Sequence, residues 1–207
     1  MSDTRCQLMA AVPHGLHMAV HVGHNVGLVT LTLYTNVGNV ADVRARVVST
    51  HLTAALLRPS MVGGVLCGLS AARSAILSQA RDVMKTRSLA TEIIFNLAPH
   101  TKISPALQQF GIRDTDTDIL AITVDIVPKE KFKEINFESG FEVDENLTPN
   151  AAILKSVLQG DVVDIELLEG LKDRESITKL YKLTAEELSL DDIERCCISR
   201  MACKGFL

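Results

Sequence analysis

The residues best suited to chemistry begin with four histidines, His14, His17, His21 and His24. Their spacings of three, four and three would set all four imidazoles on one face of a helix, and imidazole is a good zinc ligand. Pro13 and Gly15 at the start and Gly23 near the end oppose a stable helix, and no acid follows in the HExxH manner. The expectation is adventitious metal binding and no native metal site. Cys196 and Cys197 fall in a predicted terminal helix, where adjacent side chains point about 100° apart. Leu190, Ile193, Cys197 and Met201 then share one apolar stripe, so Cys197 reads as core and not as a nucleophile. The glycines at Gly63, Gly64 and Gly68 lack the Gly-Lys-Ser/Thr ending of a phosphate loop, and no GxSxG elbow occurs. No catalytic residue, metal or cofactor is expected.

A basic stretch in the middle of the chain is the remaining candidate. Arg73, Arg81, Lys85 and Arg87 are opposed there only by Asp82 and, further on, Glu92. Residues 51–113 carry a net charge of +5, and residues 114–194 carry −13. Cations near a helix start, with the Thr86 and Ser88 hydroxyls and free backbone N–H groups, make a competent anion site. The same features occur on helices that bind nothing, so an ordinary helix with a charged lead-in stays open. There is no Trp, with two Tyr and six Phe, so an aromatic platform for stacking bases is not on offer.

The elements that must position these residues follow from pattern. Residues 27–35 (GLVTLTLYT) and 117–127 (TDILAITVDIV) are rich in β-branched residues and read as strands. Asn39–Ser49 reads as a helix with an Asn cap, and a long helix is predicted from Leu66 to about Met84. In Met84–Pro99 (MKTRSLATEIIFNLAP), Leu89, Ile93 and Leu97 recur every fourth residue behind a Ser88 cap, which favours a helix over a buried strand. Ser104, Pro105 and Gly111 bracket another helix. Residues 128–148 read as a charged loop. A helix begins at Thr148-Pro149 and stops at Gly160, and Asp161–Leu168 is expected to form another. Ser176–Leu183 is a short helix or strand; Thr184 and Glu187 form a capping box; and a terminal helix runs from Asp191 to about Lys204.

At 207 residues and 47% hydrophobic content the chain fits one globular domain. Its five cysteines are odd in number and accompanied by no signal peptide, which suits reduced thiols in the cytoplasm and nucleus. The apolar N-terminus is interrupted by histidines and an early Asp-Thr-Arg, so neither a targeting segment nor a membrane span is expected.

Three blocks carry a resemblance: Lys85–Ile112 (KTRSLATEIIFNLAPHTKISPALQQFGI), Ile177–Leu183 (ITKLYKL) and Cys196–Leu207 (CCISRMACKGFL). Together they resemble the PRPK-binding protein (TPRKB) family, the small noncatalytic kinase-binding subunit of the EKC/KEOPS complex. The likeness spans residues 27–207. Residues 1–26 match poorly and read as a His-rich extension, and the acidic 128–148 segment is longer than the family pattern. The resemblance implies a single mixed α/β (α+β) domain, with a small antiparallel sheet flanked by several helices, and no activity of its own. It implies a PRPK-type atypical kinase/ATPase and other KEOPS subunits as partners. It also implies a role in bringing tRNA, through its CCA end, to threonylcarbamoyladenosine formation beside the anticodon. The alternative is a protein-interaction regulator of the kinase without direct RNA binding. Placed on this sequence, RNA contact falls on Arg81, Lys85, Thr86, Arg87, Ser88 and Asn96, and kinase contact on Arg200, Met201 and Lys204 of the terminal helix.

Overall fold

A computed structural model describes residues 6–12, 15–49, 52–133, 148–189 and 192–204. Among these residues six strands form one antiparallel sheet: β1 (Cys6–Val12), β2 (Gly15–Val22), β3 (Asn25–Thr35), β4 (Ala54–Leu57), β5 (Ile119–Pro128) and β6 (Asp161–Val163). The order is β1-β2-β3-β5-β4, with β6 also on β3. β3 and β5 pair from Asn25↔Pro128 to Tyr34↔Ile119, filling one edge of β3. On the opposite edge β2 stops at Leu16↔Leu31, and β6 takes over from Leu33↔Val163.

Among the described residues, ten helices surround the sheet: α1 (Val40–Ser49), α2 (Val65–Ala80), α3 (Leu89–Leu97), α4 (Ile103–Phe110), α5 (Lys129–Lys133), α6 (Pro149–Val157), α7 (Leu168–Leu171), α8 (Arg174–Tyr181), α9 (Ala185–Ser189) and α10 (Ile193–Ala202). Both faces of the sheet are covered, which explains why β3 and β5 read as nearly continuous apolar runs. Val29, Leu31, Leu33, Ile122 and Val124 pack beneath α2, α3, α4, α8 and α10 in the larger core. Tyr34, Ile119 and Ala121, on the other face, meet Val40 and Val43 of α1 and Leu154 of α6. This is the mixed α/β domain with a flanked antiparallel sheet that the resemblance implied.

Several boundaries differ from expectation for identifiable reasons. Residues 161–168 are a strand followed by a 3₁₀ turn, because the uncovered end of β3 offers backbone partners to Asp161–Val163. α4 starts at Ile103, placing Ser104 inside the helix and Lys102 at the cap. α10 opens at Ile193, where Asp192 accepts from Arg195 N and takes the capping role. The Asn39 side chain does not cap α1. It spans to the end of α6, donating to Val157 O at 2.9 Å and accepting from Gln159 N at 3.0 Å. The capping box at Thr184 and Glu187 is present, with bonds of 2.9 and 3.3 Å. Of the predicted apolar stripe on the terminal helix, Ile193 and Cys197 are buried, Met201 packs against them, and Leu190 lies outside the described residues.

Candidate nucleic-acid interface

The basic segment is shaped by how α2 ends and α3 begins. α2 stops at Ala80, short of Met84, in a left-handed turn: Asp82 has φ 54°, Val83 N bonds Ser78 O at 2.9 Å, and Asp82 N bonds Gln79 O at 3.1 Å. This is the Schellman arrangement, with Asp in the position usually held by Gly. It throws the chain into an extended link that enters α3 at Ser88. There Ser88 Oγ accepts from Thr91 N and Thr91 Oγ1 accepts from Ser88 N, each at 3.2 Å, completing a capping box. The helical reading of Met84–Pro99 is therefore correct and the strand alternative is excluded.

Glu92 organises the link. Its side chain is 1% exposed, and Oε2 accepts from Lys85 N (3.0 Å), Thr86 N (2.8 Å) and Thr86 Oγ1 (2.7 Å). Isolated burial of a carboxylate is costly, and three charge-assisted donors offset that cost. Thr91 Oγ1 adds a further bond to Thr86 Oγ1 at 3.0 Å. The Lys85 and Thr86 amides and the Thr86 hydroxyl are thus held by an internal anion, and the Ser88 amide and hydroxyl by Thr91. Thr86 and Ser88, expected as direct RNA contacts, have hydroxyls that bond within the link. Arg81, Lys85 and Arg87 stand exposed, and no ion pair engages them among the described residues. Asn96 is half-buried, and its Nδ2 donates to Ala71 O of α2 at 3.4 Å.

The expected partner residues are more enclosed than the sequence suggested. Both oxygens of Glu187 receive Arg200 Nη2 at 3.0 Å, and Arg200 Nε is buried without a partner. Met201 is half-buried against the core. Lys204 folds over α3, its Nζ bonded to Phe95 O and 3.2 Å from the Phe95 ring centroid. Burial pulls its ammonium down to about 8, with the Glu92 carboxylate acting in the opposite direction.

Glu194 is a functional residue of the fold that spacing did not reveal. Its Oε1 accepts from Leu66 N at 2.5 Å, so α10 caps α2 where Gly64 has no side chain to do so. A Cβ on Gly64 would sit 2.1 Å from that oxygen, and one on Gly63 would sit 2.8 Å from Cys197 Sγ. Cys67 and Cys197 meet in this contact, and the shared hydrogen bond and burial push the Cys67 thiol well above its ordinary value. These are core thiols, as expected for Cys197.

The histidines do not assemble. Residues 15–22 are strand, so His17 and His21 alternate with the core; His24 lies in an exposed turn and His14 outside the described residues. His17 is buried with Nδ1 3.0 Å from Thr30 Oγ1, and burial lowers it to about 4. His21 stands edge-on to Phe132, ring centroids 5.2 Å apart. No three metal-ligating side chains come together among the described residues. No helix among them is long and apolar enough to cross a membrane.

Residues 34–205 match the family described as kinase binding protein CGI-121. The chain is 32% identical over 176 residues to EKC/KEOPS complex subunit TPRKB of Danio rerio, covering 85% of this chain and 90% of that protein. It is 30% identical over 161 residues to EKC/KEOPS complex subunit cgi121 of Aspergillus terreus, covering 76% and 75%. The corresponding Kluyveromyces lactis subunit is 32% identical over 116 residues, covering 56% and 70%.

Proposed function

This chain belongs to the CGI-121 family of kinase-binding proteins, and on that premise we propose that it works as a noncatalytic subunit of an EKC/KEOPS-type complex. It binds the PRPK-type kinase/ATPase subunit and presents its basic link to tRNA destined for threonylcarbamoyladenosine formation. The observation that carries the RNA half is the exposed trio Arg81, Lys85 and Arg87, on a segment whose Lys85 and Thr86 amides and Thr86 hydroxyl are already engaged by Glu92. Such a surface meets phosphates through side-chain charge, which suits backbone recognition more than base readout.

For the kinase, the side of α10 that exposes part of Met201 is the proposed surface, with Arg200 and Lys204 shaping it from within. Cytoplasm and nucleus are the proposed compartments. Affinity purification from native cells tests the assignment: a PRPK-like kinase in stoichiometric yield is expected, and its absence would remove the assignment. Met201→Asp should weaken kinase capture while leaving tRNA binding intact.

A second reading, kinase regulation without RNA contact, draws on the −13 charge of residues 114–194, which repels polyanions over much of the sequence. Filter binding with tRNA carrying or lacking its CCA end separates the two. Tighter binding of the CCA-bearing form supports tRNA recruitment, and equal, feeble retention of both supports regulation alone.

A further inference from the structure

We propose that Glu92 is the positioning residue of the basic link, and that Lys204 braces it from the far side of α3. The turn that follows α10 then sets how well Lys85 and Arg87 meet a polyanion. This inference rests on the reading that the link contacts RNA phosphates.

Two sets of contacts on α3 lie behind it, Glu92 with the link and Lys204 with Phe95. A link of this length at the mouth of two helices would ordinarily sample many conformations, each carrying its cations elsewhere. Here the Glu92 carboxylate binds the Lys85 and Thr86 amides, fixing the backbone from which Lys85 and Arg87 project. It occupies the amide cradle that a phosphate would otherwise enter, so the incoming anion is directed to the side chains. Prior ordering lowers the entropy cost of binding without adding a contact.

The carboxylate is itself buried and needs a counter-charge. The Lys204 ammonium feels that charge from its seat on the Phe95 carbonyl and ring, one helical turn beyond Glu92. Phe95 is buried and Lys204 half-buried, so water screens this contact weakly. A residue in the turn after α10 thus bears on α3, the helix that carries Glu92, more than a hundred residues earlier. Because binding couplings are reciprocal, a protein partner that steadies the turn at Lys204 should tighten RNA binding, and RNA should tighten that partner.

The test uses the full-length protein with a tRNA transcript, binding by fluorescence anisotropy across a potassium chloride series, and amide hydrogen exchange at Lys85 and Thr86. Glu92→Gln should lower affinity roughly fivefold to tenfold, on the order of one ordinary hydrogen bond. It should leave the salt slope unchanged, since every cation remains, and should speed exchange at both amides. Lys204→Met should give the same pattern more weakly, with Lys204→Arg restoring it; this pair decides the matter if Glu92→Gln fails to fold. Wild-type exchange at both amides in Glu92→Gln and Lys204→Met would overturn the positioning role. Faster exchange with wild-type affinity would overturn the link to binding. Lys85→Glu with Arg87→Glu is the control for the underlying reading: if that protein binds tRNA like wild type, the RNA assignment has failed. The exchange result then still stands or falls by itself.

Discussion

At the scale of single residues, burial sets the chemistry of His17. Its imidazole is lowered from 6.5 to about 4 and faces Thr30 across the sheet. The unfolded chain takes up a proton at this position at higher pH than the folded one. Stability from His17 is therefore complete above about 6.5 and is lost as pH falls toward about 4, by roughly 3 kcal/mol. Asp125, whose carboxyl is raised by burial, acts in the opposite sense at the acid end. Urea titrations across this range should show the loss, and His17→Gln should flatten it. Cys67 and Cys197 should resist alkylation in the native protein, since both are buried and the Cys67 thiolate is disfavoured by its bond to Cys197 and by burial, whereas the exposed Cys203 should react. Mass spectrometry after brief iodoacetamide treatment checks this. Glu92 was the least legible residue. As one acid among cations it read as a weak counter-charge, and nothing in the spacing shows that its carboxylate turns inward to bind backbone seven residues upstream.

At the scale of elements, legibility tracks how local the controlling interaction is. The α3 cap and the Thr184–Glu187 box lie within four residues of their partners and were readable from sequence. The β6 strand was not, because it exists only where β2 leaves β3 unpaired, more than a hundred residues away. The cap of α2 comes from Glu194 on another helix and was equally hidden. Two changes probe these joints. Gly63→Ala drives a methyl into Cys197 and should cost about 1–3 kcal/mol as α10 shifts off α2, measured by chemical denaturation. Lys182 ends α8 in the left-handed region at φ 53°, so Lys182→Gly should relieve strain and stabilise by about 1 kcal/mol.

At the scale of the molecule, the fold puts α2, α3, α4, α8 and α10 on one side of the sheet. All three blocks that carried the resemblance lie wholly or largely on that side. Lys85–Ile112 builds α3 and α4, Ile177–Leu183 builds α8, and Cys196 onward builds α10. They are joined there: Tyr181 Oη bonds Leu97 O at 2.7 Å, and Lys204 reaches Phe95 O. The blocks are legible in sequence because they form one packed assembly, whereas the direction each side chain takes within it depends on partners far along the chain. A Tyr181→Phe change should loosen this assembly by about 1 kcal/mol through loss of a buried hydrogen bond, and the shift in denaturation midpoint measures it.

RNA contact through the basic link is tested most directly by tRNA binding of the Lys85→Glu, Arg87→Glu protein, measured across a salt series beside kinase capture from the same preparation. The expected result is a large loss of affinity and a log–log salt slope shallower by roughly 1.4–1.8, the release expected for two phosphate contacts, with kinase capture unchanged. Wild-type affinity and slope in that protein would contradict it.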